Sequence, residues 1–269
     1  MSQSLPSGVE FRAMRRDDVS TVLEIIGQHD EDDYEEAKET YRESLEGQFV
    51  LAKDGRVVGS TGAEYAEETD NTYWLSWTYL AAEHQGTGLG AVMLVKMLDQ
   101  LRELEARKVF VSTSDFVDLQ KGEVYRDALK AYQRLGFQEE VRHKDYYERN
   151  ESQIVLGLRL GPDPVHGAQP EPDMRAGAIV GFGEVPEAED SFAVDWEFAE
   201  GGGGSRSQDL EDLVQEAARK GGRVVFASAP SDASRVMSLF KSAGFVEEGR
   251  LEDFYEDGID DVHFRYDVR

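Results

Sequence analysis

Residues 79–90 read Tyr-Leu-Ala-Ala-Glu-His-Gln-Gly-Thr-Gly-Leu-Gly. An apolar, aromatic strand (Tyr73 to Leu80) runs into a glycine-rich turn, and an apolar helix opens at Leu89 and continues to about Ala106. A turn of this kind collects backbone N–H groups at a helix N-terminus, where they and the helix dipole favour an anion, most often a phosphate. Gly86, Gly88 and Gly90 let the backbone approach such a ligand with no Cβ in the way. Spacing narrows the ligand. A P-loop needs a lysine directly after the last glycine, and a dinucleotide turn needs Gly-x-Gly-x-x-Gly; this chain has neither.

A second segment carries chemistry further along. Lys108 to Ser114 reads as a buried strand, and a helix follows from about Glu123, ending in Tyr132-Gln133-Arg134-Leu135-Gly136-Phe137. Gly136 has the place of a C′ residue that closes the helix, and Phe137 begins the next strand. Gln85-Gly86-Thr87-Gly88-Leu89-Gly90 matches Gln/Arg-x-x-Gly-x-Gly/Ala and resembles the acetyl-CoA pyrophosphate loop of the GNAT acyltransferases. The ending Tyr-x-x-x-Gly-Phe is similar to the second signature of that superfamily, in the right order and about one strand later.

The resemblance implies an α/β fold with a mixed, mainly antiparallel central sheet flanked by helices. It implies acetyl-CoA as co-substrate and a primary amine, small molecule or peptide, as acceptor. Strands four and five of such a fold part, and the pantetheine enters as a pseudo-strand. The backbone at Tyr79 and Leu80 would then bond the pantetheine, and Gln85, Gly86, Thr87, Gly88, Leu89 and Gly90 would hold the pyrophosphate. Tyr132 matches the family's tyrosine near the thioester sulfur, a general acid. Two departures stand out. The asparagine often found before that tyrosine is here Tyr125, and the glutamate that many members carry early in strand four, as general base, falls at Trp74. The base is therefore open between Glu64, Asp115 and a water chain, with proximity alone able to supply much of the rate.

The elements that must position these residues follow from pattern. Val9 to Met14 reads as a strand, Arg16-Asp17-Asp18 starts a helix, and His29 to Tyr34 is an acidic connection to a polar helix, Tyr34 to Leu45. Phe49 to Ala52 and Val57 to Ala66 form a hairpin over Asp54-Gly55. Strand four alternates through Tyr73, Trp74, Ser76, Trp77 and Thr78; one face packs on helices and the other is free to line an acceptor pocket with His29 to Tyr34. The strands Phe137 to Tyr147 and Ser152 to Leu160 close the domain. The expected domain is residues 1–160, followed by a Pro-rich linker at 161–173.

Beyond the linker the chain repeats itself. Gly136-Phe137-x-Glu139-Glu140-x-Arg142-x-x-Asp145-x-Tyr147-Glu148 recurs without gaps as Gly244-Phe245-x-Glu247-Glu248-x-Arg250-x-x-Asp253-x-Tyr255-Glu256. Trp77 aligns with Trp196, Lys108-Val109-Phe110 with Arg223-Val224-Val225, and Tyr132 with Phe240. Residues 174–269 therefore read as a second, truncated GNAT-like copy without the first strand and the two leading helices. Its glycine loop has become Glu200-Gly201-Gly202-Gly203-Gly204-Ser205-Arg206-Ser207, and loss of the tyrosine to Phe240 marks the copy as non-catalytic. Tyr146-Tyr147, repeated as Phe254-Tyr255, read as hairpin packing.

Composition bounds the partners. The 269 residues carry 55 acidic against 29 basic side chains, a formal charge of −26. The acids are spread along the whole chain, which suggests a halophilic cytoplasm where self-repulsion is screened over ~3 Å at about 1 M salt. The competing reading is a surface that recruits a cationic substrate. Nucleic acid is not an expected partner, since phosphate backbones are held by Lys and Arg. The absence of cysteine rules out disulfides, zinc-thiolate sites and a cysteine nucleophile. His84 reads as a surface residue beside the turn; His29, His143, His166 and His263 show no metal-ligand spacing, so no metal is expected. With no apolar run near ~20 residues, neither a membrane partner nor a signal peptide is expected, and the expected location is the cytoplasm. Pairing as a homodimer, a non-catalytic acyl-CoA sensor and a protein-interaction module remain open alternatives.

Overall fold

The computed structural model describes residues 5–29, 31–118, 122–162, 171–199 and 203–268. Two sheets divide the chain. The first runs through β1 (Val9–Ala13), β2 (Gln48–Lys53), β3 (Arg56–Tyr65), β4 (Thr72–Leu80), β5 (Lys108–Ser114), β8 (Gln138–Glu148) and β9 (Glu151–Arg159) in the spatial order β1-β2-β3-β4-β5-β9-β8. A small hairpin, β6 (Val117–Asp118) with β7 (Gly122–Glu123), lies between β5 and the fourth helix. Only β4 and β5 run parallel; every other pair in the large sheet is antiparallel.

Helices cover both faces. Helix α3 (Leu89–Glu103) buries Leu94, Met97, Leu98 and Leu101, the spacing that makes one stripe of a helix. It shares a core with α4 (Arg126–Arg134) through Tyr132 and Phe137 and with the sheet through Val109, Val111, Ile154 and Leu156. On the opposite face, α1 (Val19–Gly27) and α2 (Glu31–Glu43) bring Val22, Ile26, Ala37 and Tyr41 onto Val50.

Boundaries differ from the sequence reading at three helices. The acidic connection is short, because Glu31 already opens α2. Carboxylates in a first helical turn face the positive end of the helix dipole, so an acidic run is favourable there. The fourth helix begins at Arg126 and not near Glu123, which instead pairs in the β6–β7 hairpin. The third helix ends at Glu103.

The second sheet contains β10 (Gly177–Glu184), β11 (Ser191–Phe198), β12 (Val224–Pro230), β13 (Val246–Glu256) and β14 (Ile259–Asp267), in the order β10-β11-β12-β14-β13. Helix α5 (Ser207–Arg219) joins the parallel pair β11–β12, and α6 (Ser234–Ser242) leads into β13. That is the order and direction of β3-β4-β5-β9-β8 with its two helices. Among the described residues, nothing in the second unit corresponds to β1, β2, α1 or α2. Strand register corrects one alignment: Thr72 pairs with Lys108 and Ser191 with Val224, so the partner of Arg223 in the first unit is Arg107 and not Lys108.

The units meet through β8 and β13 with reciprocal contacts. Arg107 donates to the Phe254 carbonyl at 3.1 Å and to Thr72 Oγ1; Arg223 donates to the Tyr146 carbonyl at 3.1 Å and to Ser191 Oγ. The Asp70 amide bonds the Tyr255 carbonyl, and the Glu189 amide bonds the Tyr147 carbonyl. Each unit's arginine thus satisfies main-chain carbonyls of the other's hairpin. Among the described residues no helix is long and apolar enough to cross a membrane.

Candidate active site

A fork in the large sheet creates the site. β4 and β5 pair over only three rungs, ending at Trp74 with Phe110. Beyond them β5 stays bonded to β9 while β4 runs on to Leu80 beside β3, so among the described residues the edge of β4 from Leu75 onward has no strand on the β5 side. The geometry has a local cause. Trp77 takes φ +45°, and the β3–β4 register slips between Ser60 and Gly62. A bulge of this kind bends and twists one strand away from its neighbour. It also breaks the simple alternation expected along β4. Trp77 and Tyr79 pack toward α1 and α2, whereas Trp74 packs on Phe110 and on Phe254 of the second unit.

At the open end of β4 the glycine turn leads into α3. Gly86 has φ +70° and Gly88, the N-cap, φ +85°. A Cβ at either would meet nothing within 4 Å, so backbone conformation and not crowding selects glycine here. No side chain caps the helix start, and Leu89 is buried, fastening the first turn. Gln85, Gly86, Thr87 and Gly88 are exposed, with the uncapped N–H groups of the first turn available to an anion. Gly90 sits against Leu80, at an ordinary contact distance for an added Cβ.

Gln28, His29 and Asp33 reach the end of β4. His29 Nε2 lies 2.9 Å from the Leu80 carbonyl, and the Tyr79 hydroxyl donates to Asp33. The Leu80 carbonyl, expected to serve pantetheine, thus already has a histidine partner. The Tyr79–Asp33 pair is a feature that single-strand alternation does not reveal.

Tyr132 projects from α4 into the core below the fork, 5 % exposed. Its hydroxyl faces Thr78 on β4, and burial pushes its pKa up to about 12, the polar Thr78 pulling the other way. Thr78 is itself bonded to Thr61 at 2.8 Å. Thr78 and Thr61 thus link β4 to β3 beside the Tyr132 hydroxyl. The sequence signal for this was small: a Ser-Thr pair, Ser60-Thr61, in the middle of β3, across from Ser76 and Thr78. On the other face of the bulge, Trp77 Nε1 is buried with no hydrogen-bond partner among the described residues.

The two named base candidates part ways. Asp115 is engaged by Arg142 at 2.9 Å and by the Ser152 amide at 2.6 Å, which makes it a structural carboxylate. Glu64 is exposed and pairs across strands with Trp74, the position where the family's glutamate is missing. His84 accepts from Thr87 through its carbonyl, as a turn residue would. His143 and His263 lie between the units; His166 lies outside the described residues. Among the described residues no group of three or more His, Cys, Asp or Glu is arranged to hold a metal.

The second unit has a fork too, since β11 and β12 pair only as far as Ala193 with Phe226. There the gap is crossed by Trp196, whose indole donates to the Ser228 carbonyl at 2.7 Å. Phe240, in the place of Tyr132, is fully buried in the core. Ser205 and Ser207 border a cavity of about 250 Å³ with Arg235, Ser238 and Ser242; Glu200, Gly201 and Gly202 lie outside the described residues.

Comparison with known proteins places this geometry. The profile of the acetyltransferase (GNAT) family matches residues 12–137. No curated protein matches the chain. Among solved structures, a GNAT-family acetyltransferase from Desulfovibrio desulfuricans superposes with a TM-score of 0.50 at 24% identity, covering 56% of this chain and 98% of its own. An acetyltransferase from Salmonella typhimurium solved with acetyl-CoA gives 0.47 at 17% identity over 60% and 99% of the two chains. The ribosomal-protein-S18-alanine N-acetyltransferase from Escherichia coli gives 0.47 at 16% over 60% and 99%. Residues 12–137, with the fork, the glycine turn and Tyr132 inside their bounds, form an acetyltransferase domain of the GNAT family.

Proposed function

We propose that the chain transfers the acetyl group of acetyl-CoA to a primary amine by direct attack in a ternary complex. The observation that carries this reading is the open edge of β4 ending in an uncapped helix N-terminus. In this reading the first-turn N–H groups at Gly88 to Gly90 hold the pyrophosphate, and the unpaired edge after Leu75 takes the pantetheine as a pseudo-strand. The amine nitrogen adds to the thioester carbonyl, the C–S bond breaks, and the sulfur must receive a proton.

Tyr132 is the donor we assign. Its raised pKa keeps the hydroxyl protonated, but it also makes full transfer to a thiolate unfavourable, because a thiol of ordinary acidity, near ~8.5, is the stronger acid. The balance closes if the ammonium proton of the tetrahedral adduct passes to sulfur through the Tyr132 hydroxyl in one motion, leaving no free tyrosinate. Thr78, itself bonded to Thr61, is the polar neighbour of that hydroxyl. Glu64 is the carboxylate best placed for the amine's earlier deprotonation, since Asp115 is spent on Arg142.

The second unit, residues 174–269, is in this reading a truncated, non-catalytic GNAT-like domain, because Trp196 bridges its fork and Phe240 replaces the tyrosine. The acidic surface suits a salt-rich interior. Coenzyme A is an anion and the chain's net charge is −26, so screening helps the two meet. Calorimetric titration of acetyl-CoA is expected to give one site per chain, tighter at molar KCl than at low salt and abolished in Gly88→Trp. Two sites would make the Gly203–Ser207 region a second acyl-CoA site, and no binding at any salt would end the acetyltransferase reading.

A further inference from the structure

The interface between the two units is symmetric in plan and asymmetric in charge. The repeat that carries Gly136 onto Gly244 carries Glu140 onto Glu248, and each carboxylate reaches across to a main-chain amide of the other hairpin. Glu140 accepts from the Glu252 amide at 2.7 Å, and Glu248 from the Lys144 amide at 3.2 Å. Their second partners differ in kind. Glu140 is neutralised by the buried Lys108 ammonium at 2.8 Å, a permanent charge. Glu248 is neutralised by the His143 imidazole, a titratable one, with Arg265 at 3.4 Å.

His143 does not stand alone. Its other ring nitrogen, Nε2, lies 3.0 Å from Nδ1 of His263, and His263 Nε2 lies 3.1 Å from Asp261. At the matching places on the other side of the interface stand Leu251 and Val155, packed with Phe110 and Val141 in an apolar cluster. The row Glu248–His143–His263–Asp261 has three hydrogen bonds, and each needs one proton. Two neutral imidazoles bring two. A third proton must therefore be present wherever in the row it resides, or the central contact becomes two nitrogen lone pairs facing each other. With a fourth, two N–H groups face each other. Either way the central bond is lost.

We propose that His143 and His263 form a proton-dependent latch between the two units, closed only while the pair shares one proton. The charged and titratable groups around it are Glu248 on β13, Asp261 and Arg265 on β14, Tyr146 on β8, which donates to Glu187, and Asp195 on β11 across a cavity of about 280 Å³. Carboxylates at both ends hold the shared proton. Burial works against it and pushes His143 below the usual histidine range, with the neighbouring His263 adding to the effect. Burial thus favours release of the shared proton, and the two carboxylates favour its retention. Raising the pH removes the shared proton and lowering it adds another; the closed state is favoured between the two steps.

The test uses the full-length chain and two amides as a matched pair. Protection of the Lys144 amide, held by Glu248, is expected to peak at one pH and fall by up to about tenfold per pH unit on either side. The Glu252 amide, held by Glu140 beside Lys108, is the internal control and stays level. ¹⁵N spectra of the imidazoles should show the two rings titrating together. Replacing His143→Leu with His263→Val, the residues found at the matching positions, should flatten the Lys144 profile. A constant ratio of Lys144 to Glu252 protection between about pH 5 and 9, or two rings titrating independently, would overturn the latch even if the variant does not fold.

Discussion

Gly88 and Tyr132 place opposite demands on their surroundings. Gly88 needs a positive φ and open space, so a substitution there costs about 1 kcal/mol from conformation alone, before any ligand is considered. Tyr132 needs enclosure. Its burial keeps the hydroxyl protonated, and a group whose ionised form is penalised in the fold holds its proton through the alkaline range. The turnover assigned to Tyr132 is therefore expected to persist past pH 10, since the folded-state pKa of about 12 lies above the ordinary value near 10. Tyr132→Phe is expected to lower kcat by about 10²-fold or more with acetyl-CoA affinity unchanged, the range for loss of a positioned proton donor. A drop in affinity with kcat preserved would make Tyr132 a packing residue. The motif around Tyr132 was legible in the sequence as Tyr-x-x-x-Gly-Phe; Thr78 and Thr61 were not, because hydroxyls on two different strands come together only once register is fixed.

At the scale of elements, the fork decides what the sheet can bind. Its two arms were legible as apolar strands, but where they part was not. That depends on the bulge at Trp77 and on which rung is the last, and both are properties of pairing. The last rung, Trp74 with Phe110, is capped by Phe254 at 6.2 Å and 5.5 Å between ring centroids. A residue from the repeat thus buttresses the catalytic sheet from outside it. Phe254→Ala is expected to destabilise the chain by about 2 kcal/mol, below the cost of a full-core phenylalanine because the ring is only partly buried. Denaturant titration measures that loss, and a parallel weakening of acetyl-CoA binding would show that the buttress sets the fork. Helix boundaries moved for similar reasons: α4 starts late because Gly122–Glu123 find a strand partner in Val117–Asp118.

For the whole molecule, the repeat has a consequence that pairing of separate chains does not. The sheet face of β8 and β9 is covered within the chain, and Arg107, Lys108 and Arg159 find Asp257, Glu252 and Asp253 on the second unit. Cutting after Leu160 removes those partners and bares Phe110, Val141 and Val155. The fragment is expected to aggregate or to dimerise through that face, not to remain a soluble monomer as a free-standing domain would. Sedimentation of residues 1–160 beside the intact chain distinguishes these outcomes, and an active monomeric fragment would confine the second unit to a passive role.

The chain's local chemistry was fixed by order alone. Glycines at set spacing, a tyrosine one helix end before Gly-Phe, and a repeat without gaps are all statements about neighbours along the backbone, and short-range sterics and hydrogen bonding enforce them. What only the tertiary structure decided were contacts between residues far apart in sequence. The one-residue shift that matches Arg107 to Arg223, the release of β4 from β5, the closing of the second fork by Trp196, and the meeting of His143 with His263 all depend on strand register and on the docking of two units. Those are set by the burial of whole faces at once, a cooperative choice to which no single segment commits.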